Sequence, residues 1–192
     1  MYDVVIIGAG AAGMMAAGVA ARAGHKTLLL EKMEKAGRKI RITGKGRCNL
    51  TNTRPGEEFL ARVRADAEFF LSSFEAFDNN AAVDFFEKEG VKLAFERGDR
   101  VFPASGKAWE IADALRDWAE EGGAEIQFHT RATEIRTLGG RVNGVKIINR
   151  NGFERNIESH NVIVCTGGVS YPATGSTGDG YMFAHSLGHR IE

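Results

Sequence analysis

The apolar positions at the start of the chain form short unbroken runs. The first run, residues 4–7, is β-branched and ends at Gly8, a pattern typical of a strand buried on both faces. An alanine-rich stretch then ends at Gly24, as helices commonly do, and a second apolar run, KTLLLEK, has Glu31 near its end. The pattern therefore predicts a strand–helix–strand unit at the start of the chain.

Residues 33–105 leave this pattern and form an excursion with a basic glycine loop, an acidic stretch and a hairpin. The acidic stretch, residues 57–90, is predicted to form short surface helices, because its apolar residues recur at helical intervals. The segment KLAFERGDRVFP then predicts a hairpin that turns at residues 97–99. We expect the phenylalanines of the helical stretch to lie in the core: Phe59, Phe69, Phe70, Phe74 and Phe77, with Leu60 and Val63 at the same helical spacing.

The remaining pattern predicts one long helix and a return to strands. Ser105 is expected to cap an amphipathic helix whose apolar face carries Ile111, Leu115 and Trp118. A strand, AEIQFHT, follows, and three alternating segments within residues 132–159, joined at glycine-containing turns, predict an antiparallel β-meander. The apolar run NVIVC then predicts a strand, with Cys165 buried in it, that leads into TGG.

The order of these predicted elements is typical of one fold class. It is the α/β, Rossmann-like FAD-binding domain of the glutathione-reductase type, which combines a parallel sheet with a small antiparallel β-meander. The meander distinguishes this domain from a plain nicotinamide-binding domain. We therefore predict an FAD/NAD(P)-binding domain over residues 1–192.

The segment GAGAAG, residues 8–13, places a GxGxxG motif between the first predicted strand and the first predicted helix. In such a motif the first glycine permits the turn, the second lets the backbone approach a pyrophosphate, and the third lets helix and strand pack closely. Glu31, at the end of the next strand, is placed to accept hydrogen bonds from an adenosine ribose. The residues predicted to contact a dinucleotide through this turn are Gly8, Gly10, Ala11, Ala12 and Gly13.

Charge is unevenly distributed along the chain, although the net charge is zero. Residues 1–56 contain ten Lys/Arg and three Asp/Glu, a net charge of +7, and the remainder contains 15 Lys/Arg and 22 Asp/Glu, a net charge of −7. This asymmetry indicates an anionic ligand near the N-terminal segment. The alternative is a basic face that merely balances an acidic one.

The basic loop GRKIRITGKGRCNLTN, residues 37–52, contains five Lys/Arg and no acid. It is not a nucleoside-triphosphate P-loop, because six residues separate Gly37 from Gly44 where that motif has four. It contains no aromatic residue, so RNA stays an alternative partner but is not favoured. We interpret the loop as lying along FAD, where Arg38 or Arg47 could stabilise the reduced flavin.

Other sites are not predicted by the remaining residues. Cys48 and Cys165 stand far apart without CxxC spacing, and the five histidines do not cluster, so no metal site is predicted. Cys48 could contact a ligand or simply pack. Residues 4–21 carry no charge, but Asp3 precedes them and glycines interrupt them, so we expect a cytoplasmic protein with no membrane segment.

Five motifs in collinear order resemble the bacterial flavoprotein family of the BaiN/RdsA, or aminoacetone-oxidase-like, type. They are GAGAAGMMAA, LLLEK, GRKIRITGKGRCNLTN, RVFPASGKA and TGGVSYPATGSTGDGYMFAHSLGH, and the resemblance that they carry spans nearly the whole chain, from residue 8 to residue 189. Lys45 is a departure, because members of the family usually have a GGGRCN-like loop there. The resemblance implies cofactor-binding roles for Gly8, Gly10, Gly13, Glu31, Lys32, Gly37, Arg38, Lys39, Gly44, Gly46, Arg47, Cys48, Asn49, Ala132, Thr166, Gly167, Gly168 and Asp179. For Asp179 the alternative is a helix N-cap.

The resemblance also implies an activity and a longer polypeptide. It implies an FAD-dependent oxidoreductase in which NAD(P)H reduces the flavin and flavin N5 passes hydride to a polarised C=C bond of a small molecule. The alternatives are oxidation of a small amine, reduction of uridine in ribosomal RNA, and an FAD-binding fragment without catalysis. Family members are about twice as long, so we expect this chain to be an N-terminal portion whose substrate domain and C-terminal half lie elsewhere. The catalytic residues are unknown, and Tyr171 is a weak candidate for a general acid.

Overall fold

The computed structural model describes residues 1–64 and 66–192, which form two compact units. The first unit contains residues 1–39 and 115–192, and the second contains residues 40–114. The helices are α1 (Ala11–Arg22), α2 (Arg38–Ile42), α3 (Gly56–Leu60), α4 (Ala67–Ala76), α5 (Asn79–Lys88), α6 (Ala108–Glu121) and α7 (Asp179–Ser186). The strands are β1 (Tyr2–Ile7), β2 (Thr27–Leu30), β3 (Thr51–Asn52), β4 (Leu93–Glu96), β5 (Arg100–Pro103), β6 (Glu125–Gln127), β7 (Thr130–Leu138), β8 (Arg141–Asn149) and β9 (Glu154–Val164).

The first unit is built on one six-stranded sheet with the order β6-β2-β1-β9-β8-β7. The four strands β6, β2, β1 and β9 are parallel neighbours, and β7, β8 and β9 form the antiparallel meander. Buried apolar side chains from β1 and β2 form the centre of the core together with those of the meander. The predicted α/β fold, a parallel sheet with an antiparallel meander, is confirmed.

The third meander segment and the returning strand were predicted as separate strands, and this is wrong. They form one continuous strand, β9, whose residues 154–158 pair with β8 and whose residues 159–164 pair with β1. The reason lies in the sequence, because no glycine or proline interrupts residues 153–165. Cys165 follows the end of β9 and is half-buried rather than buried in the strand.

Helix α1 packs closely on the second half of α6. A Cβ atom placed on Gly18 would lie 2.0 Å from the Trp118 ring, so a side chain at this position would displace the ring from its present place. Arg22 lies over the same ring at 5.0 Å from its centroid and donates a hydrogen bond to the Trp118 carbonyl at 3.0 Å. The helix predicted after Ser105 begins at Ala108, and Ser105 Oγ accepts a hydrogen bond from the Lys107 backbone N–H rather than capping the helix itself.

The second unit contains a three-stranded sheet with the order β3-β5-β4 and helices α3, α4 and α5. The predicted hairpin turn at residues 97–99 is confirmed, with Gly98 and Asp99 both at positive φ. The segment predicted as a basic loop is partly helical: α2 ends at Ile42, and a tight turn follows over Thr43–Gly46, in which Gly44 and Lys45 have positive φ.

The prediction that all the phenylalanines of α3 and α4 belong to the core is wrong. Phe74 is buried and stacks on Phe59 with ring centroids 4.8 Å apart, but Phe69 is 84% exposed. Phe70 and Phe77 are exposed as well, and Phe59, Leu60 and Val63 are half-buried. Since α4 carries apolar residues around most of its circumference, one face alone can pack inward.

Candidate functional site

The glycine turn, residues 8–13, joins β1 to α1 at the carboxyl end of the parallel sheet. Gly8 adopts a φ of +102°, and a Cβ atom there would lie 2.6 Å from the Cys165 carbonyl oxygen. A Cβ atom on Gly13 would lie 1.9 Å from the Gly8 carbonyl oxygen. The fold of the protein itself therefore requires glycine at both positions.

Gly10 differs from its two neighbours in the motif. It has an extended backbone with φ −81°, and a Cβ atom there would meet no protein atom within 4 Å. Gly10 also occupies the N-cap position of α1, where no side chain accepts a hydrogen bond from the first turn. The exposed start of α1 thus presents backbone N–H groups and the positive end of the helix dipole to open space, which suits an anion.

Glu31, directly after β2, is hydrogen-bonded to the backbone on both sides of the site. Its Oε2 accepts from the Ala9 N–H at 2.9 Å, and its Oε1 accepts from the Met33 N–H at 2.8 Å. The Gly37 N–H donates in turn to the Ala9 carbonyl at 2.8 Å. The carboxylate predicted to bind ribose is therefore held beside the glycine turn, with accepting capacity left on both oxygens.

Lys32 points to the start of α7. Its Nζ donates to Thr177 Oγ1 at 2.6 Å and to Asp179 Oδ2 at 2.8 Å, and Thr177 Oγ1 donates to Asp179 Oδ1 at 2.9 Å. Burial would raise the pKa of the Asp179 carboxyl, but the hydrogen bonds from Lys32 and Thr177 outweigh burial and hold that pKa below its ordinary value. The N-cap of α7 is Gly178, and Asp179 is its first helical residue.

The TGG segment, residues 166–168, follows β9 beside the glycine turn. The backbone of Thr166 lies 3.2 Å from the position of a Cβ atom on Gly8, and Lys39 Nζ lies 4.0 Å from that of one on Gly167. Ala132 is buried on β7, opposite Ile147 of β8. In the first unit, therefore, the structure brings the glycine turn together with Glu31 and the TGG segment.

Arg38 belongs to the first unit and is engaged by protein groups. It forms an ion pair with Glu34 at 2.6 Å and donates to the Ala173 carbonyl at 2.9 Å. A backbone hydrogen bond and the bond from Arg38 hold the pKa of the Glu34 carboxyl below its ordinary value. A role for Arg38 beside a flavin stays a prediction.

The remaining predicted residues of the basic loop lie in the second unit. Arg47 forms an ion pair with Glu96, and its guanidinium lies over the Phe102 ring at 4.3 Å from the centroid. The hydrogen bond from Arg47 holds the pKa of the Glu96 carboxyl below its ordinary value. Gly44 and Gly46 both adopt positive φ in the turn before Arg47.

Cys48 and Asn49 complete that loop with different environments. Cys48 is buried at a φ of 57°, and burial raises the pKa of its thiol above the ordinary value. Asn49 is exposed. A packing role therefore accounts for the Cys48 side chain, while contact of residues 44–49 with a cofactor stays a prediction.

Tyr171, the candidate general acid, precedes a 3₁₀ turn at a φ of 57° and is 67% exposed. Its carbonyl accepts hydrogen bonds from the Thr174 N–H and hydroxyl. Thr177, Met33 and the backbone of Ala9 are contacts that the sequence reasoning missed. The only signal for Thr177 was its place in the polar segment TGSTGDG.

Two further kinds of site are absent from residues 1–64 and 66–192. In that part of the chain, no three His, Cys, Asp or Glu side chains lie close enough to hold a metal ion. Nor does any helix described there have both the length and the apolar character needed to cross a bilayer.

Comparison with known proteins identifies relatives over the whole chain. The HI0933-like protein Rossmann domain family matches residues 2–192. A ribosomal RNA dihydrouridine synthase of Escherichia coli (strain K12) is 32% identical over 192 residues, covering 99% of this chain and 45% of that protein. A 3-dehydro-bile acid delta(4,6)-reductase of Clostridium scindens is 31% identical over 198 residues, covering 100% of this chain and 45% of that protein.

A solved structure shows the same fold. The 3-ketosteroid-delta4-(5alpha)-dehydrogenase of Rhodococcus jostii RHA1 matches with a TM-score of 0.76 at 19% identity, over 97% of this chain and 54% of that one. The chain thus spans about half the length of the proteins it matches. The resemblance drawn from the five motifs is confirmed.

Proposed function

The chain belongs to the HI0933-like family of Rossmann domains, a family of flavoprotein oxidoreductases, and on that premise we propose that its first unit holds the ADP portion of FAD. In this proposal Gly10, Ala11 and Ala12 face the pyrophosphate with backbone N–H groups, and Glu31 accepts hydrogen bonds from the adenosine ribose. Ala132 and residues 166–168 contact the dinucleotide through their backbone.

The observation that carries the proposal is the open space at Gly10. The protein's own packing and backbone angles require glycine at positions 8 and 13, but neither requires it at position 10. A ligand that approaches the backbone closely supplies the missing reason, and a pyrophosphate at a helix N-terminus is such a ligand. Glu31 lies one hydrogen bond away from the same turn.

We further propose that the complete protein reduces a polarised C=C bond, with NAD(P)H as the electron donor. The two relatives at 31–32% identity are named as a reductase and as a dihydrouridine synthase, and both names denote addition of hydrogen. When bound, FAD supplies hydride transfer, and this chain's residues bind and orient it. Bleaching of FAD-loaded protein by NADH or NADPH without air supports this donor, and stoichiometric peroxide release during turnover would favour an amine oxidase.

A small molecule is the proposed substrate, and RNA is the alternative that the relative from Escherichia coli raises. Arg41, Arg47 and Arg54 of the basic segment, residues 40–54, are paired with carboxylates, which leaves less free positive charge for phosphates than the sequence count indicates. RNA binding that weakens steeply between low and moderate salt would support RNA, because phosphate contacts release counterions.

The first unit also presents a surface that further polypeptide could cover. Residues 159–164 of β9 pair with β1 on one edge, and among the described residues no strand pairs with their other edge. A cavity of about 610 Å³ lies beside them, lined by Ile135, Val162, Val164, Phe183 and Leu187 among others. We propose that a strand from the additional length found in the relatives pairs there and completes the FAD site.

The first experiment is the visible absorption spectrum of the purified chain before and after addition of FAD and gel filtration. A retained flavin spectrum means that the 192 residues form a cofactor site by themselves. A colourless protein whose FAD binding is restored by the remaining polypeptide, added in trans, means that the covering strand is required. Absence of FAD binding in both forms contradicts the proposal.

The Gly10→Ala substitution tests the carrying observation directly. Because the added methyl group meets no protein atom, we expect the free energy of unfolding to change by less than about 1 kcal/mol. We expect FAD affinity, measured by quenching of flavin fluorescence, to fall at least about tenfold, since the methyl group occupies the position of the pyrophosphate. Val19→Ala, at an exposed site on the same helix, is the matched control and leaves FAD affinity unchanged.

A further inference from the structure

We propose that Lys32 is a positioning residue. By holding Thr177 and Asp179, it fixes residues 166–168 relative to the glycine turn and thereby sets the affinity for a ligand that contains a pyrophosphate. The inference rests on the proposed FAD site. It gives Lys32 and Asp179 a role different from direct contact with the cofactor.

Lys32 directly follows Glu31, which is held in place by several hydrogen bonds. Glu31 is fixed to the glycine turn by its bond from the Ala9 N–H and to Met33 by its second oxygen. The backbone of Glu31 is held as well, since the N–H of Thr130 on β7 donates to the Glu31 carbonyl at 2.9 Å. The backbone that carries Lys32 is therefore tied to the site on two sides.

The start of α7 packs on the TGG segment. The Gly178 N–H donates to the Gly168 carbonyl at 3.2 Å. A Cβ atom on Gly167 would lie 2.9 Å from Ser176 Oγ, and one on Gly180 would lie 2.5 Å from Thr166 Oγ1. Because these contacts are close, movement of the α7 start would also displace residues 166–168.

The contact between the TGG segment and the glycine turn closes a ring of contacts. The Cys165 carbonyl and the Thr166 backbone lie against Gly8, so the TGG segment returns to the glycine turn. The ring runs from this turn to Glu31, through Lys32 to the α7 start, through the TGG segment and back. It borders the open space at Gly10 where the pyrophosphate is proposed.

The Lys32–Asp179 contact is an ion pair, and it is the part of the ring formed by two oppositely charged, mostly buried side chains. The exposed fractions of the two side chains are 22% and 9%. Removing either partner leaves a partly buried charge uncompensated, which is more disruptive than loss of an exposed pair. Arg131 also attracts Asp179 and would hold part of its charge after loss of Lys32.

The test compares Lys32→Met and Asp179→Asn with Lys35→Met, a matched loss of charge at an exposed lysine three residues away. We expect the first two variants to bind FAD and ADP about tenfold more weakly, which corresponds to about 1.4 kcal/mol, and AMP within about twofold of the unsubstituted chain. Lys32→Arg, which keeps the charge, should restore most of the loss. Equal affinities for FAD in all variants would overturn the proposal.

A second readout does not depend on any ligand. Amide hydrogen exchange at Gly178 should accelerate at least about tenfold in Lys32→Met and Asp179→Asn and stay unchanged in Lys35→Met. Unchanged exchange at Gly178 in the first two variants refutes the ring, whether or not FAD binds. Accelerated exchange in a chain that binds neither FAD nor ADP would instead support the ring and contradict the proposed function.

The pH dependence gives a further check on the pair. Because the pKa of Asp179 is held below its ordinary value, its ion pair contributes stability above the ordinary Asp range, and that contribution is lost as pH falls through the lowered pKa. Lys32 and Arg131 are the cations that act on this carboxylate. The stability difference between the unsubstituted chain and Asp179→Asn should therefore be largest near neutral pH and shrink in acid. A difference that does not depend on pH would contradict the ion-pair basis of the ring.

Discussion

The glycine turn at residues 8–13 and the basic loop at residues 37–52, most of which lies in the basic segment at residues 40–54, are both predicted ligand sites, but on different grounds. The turn was identified by spacing, and the structure accounts for Gly8 and Gly13 while leaving Gly10 for a ligand. The basic segment was identified by charge, and in the structure its arginines contact protein carboxylates. The pairs are Arg41 with Asp113, Arg47 with Glu96, and Arg54 with Glu58 and Asp99.

The difference shows what each kind of sequence signal encodes. A glycine at fixed spacing encodes a backbone geometry, which can be checked position by position against the fold. A run of basic residues encodes only local charge, and the acids that neutralise it come from distant positions such as Glu96 and Asp113. The net charge of residues 1–56 therefore overstates the positive charge that a ligand meets.

The largest expected effect in this comparison is that of Gly13→Ala. Alanine favours a helix over glycine by about 1 kcal/mol, but here its methyl group would lie 1.9 Å from the Gly8 carbonyl oxygen. The carbonyl oxygen is a backbone atom and the methyl group is attached directly to the backbone of α1, so neither can rotate away, and we expect a loss of about 3 kcal/mol or more in the free energy of unfolding, measured with urea. Gly10→Ala, in the same turn, is the control and should cost less than about 1 kcal/mol. Equal losses of unfolding free energy for the two variants would contradict the assignment of Gly13 to the fold and of Gly10 to ligand binding.

The fold could be predicted because its signals are local. Buried strands such as β1 and β2 appear as unbroken apolar runs, and the meander turns at residues 139–140 and 151–152 contain glycine. The errors arose where burial depends on distant contacts. Phe69 and Phe74 follow the same helical pattern, and only the tertiary packing of α4 decides that Phe69 is exposed and Phe74 buried.

The next largest effect is that of Glu31→Gln on ligand affinity. Hydrogen bonds to a charged group contribute about 1.5–3 kcal/mol, so we expect FAD affinity to fall by about 10- to 100-fold. The amide can accept only through one atom, so one of the bonds from the Ala9 and Met33 N–H groups is also lost. Calorimetric titration with FAD measures the effect, and Glu121→Gln, at an exposed acid at the end of α6, is the control. A Glu31→Gln variant with unchanged affinity would contradict the ribose-binding role.

The site itself was less predictable than the fold. Glu31 could be found from its distance to the glycine motif, but its bonds to Ala9 and Met33 depend on how β2 lies beside β1. Lys32 and Asp179 stand 147 positions apart, and no spacing rule joins them. Their contact follows from the return of the chain to the same edge of the sheet after β9, which is a property of the topology.

The smallest effect is expected in the basic segment, from Arg47→Gln and Glu96→Gln. Both variants break the same ion pair, so we expect small changes in the denaturation midpoint, the larger one for Arg47→Gln, which also loses the contact of the guanidinium with the Phe102 ring. Because the pKa of Glu96 is held below its ordinary value, the stability that the ion pair contributes is present above the ordinary Glu range and is lost as pH falls through the lowered pKa.

The same two variants also test contact of Arg47 with the cofactor. If Arg47 serves only the fold of its own unit, the two variants bind FAD equally. If Arg47 contacts the cofactor, Arg47→Gln weakens FAD binding while Glu96→Gln, which frees the guanidinium, does not. We expect equal binding, because Glu96 and Phe102 already contact the guanidinium. Weaker FAD binding by Arg47→Gln alone would show that the basic residues of the sequence do indicate a ligand contact here.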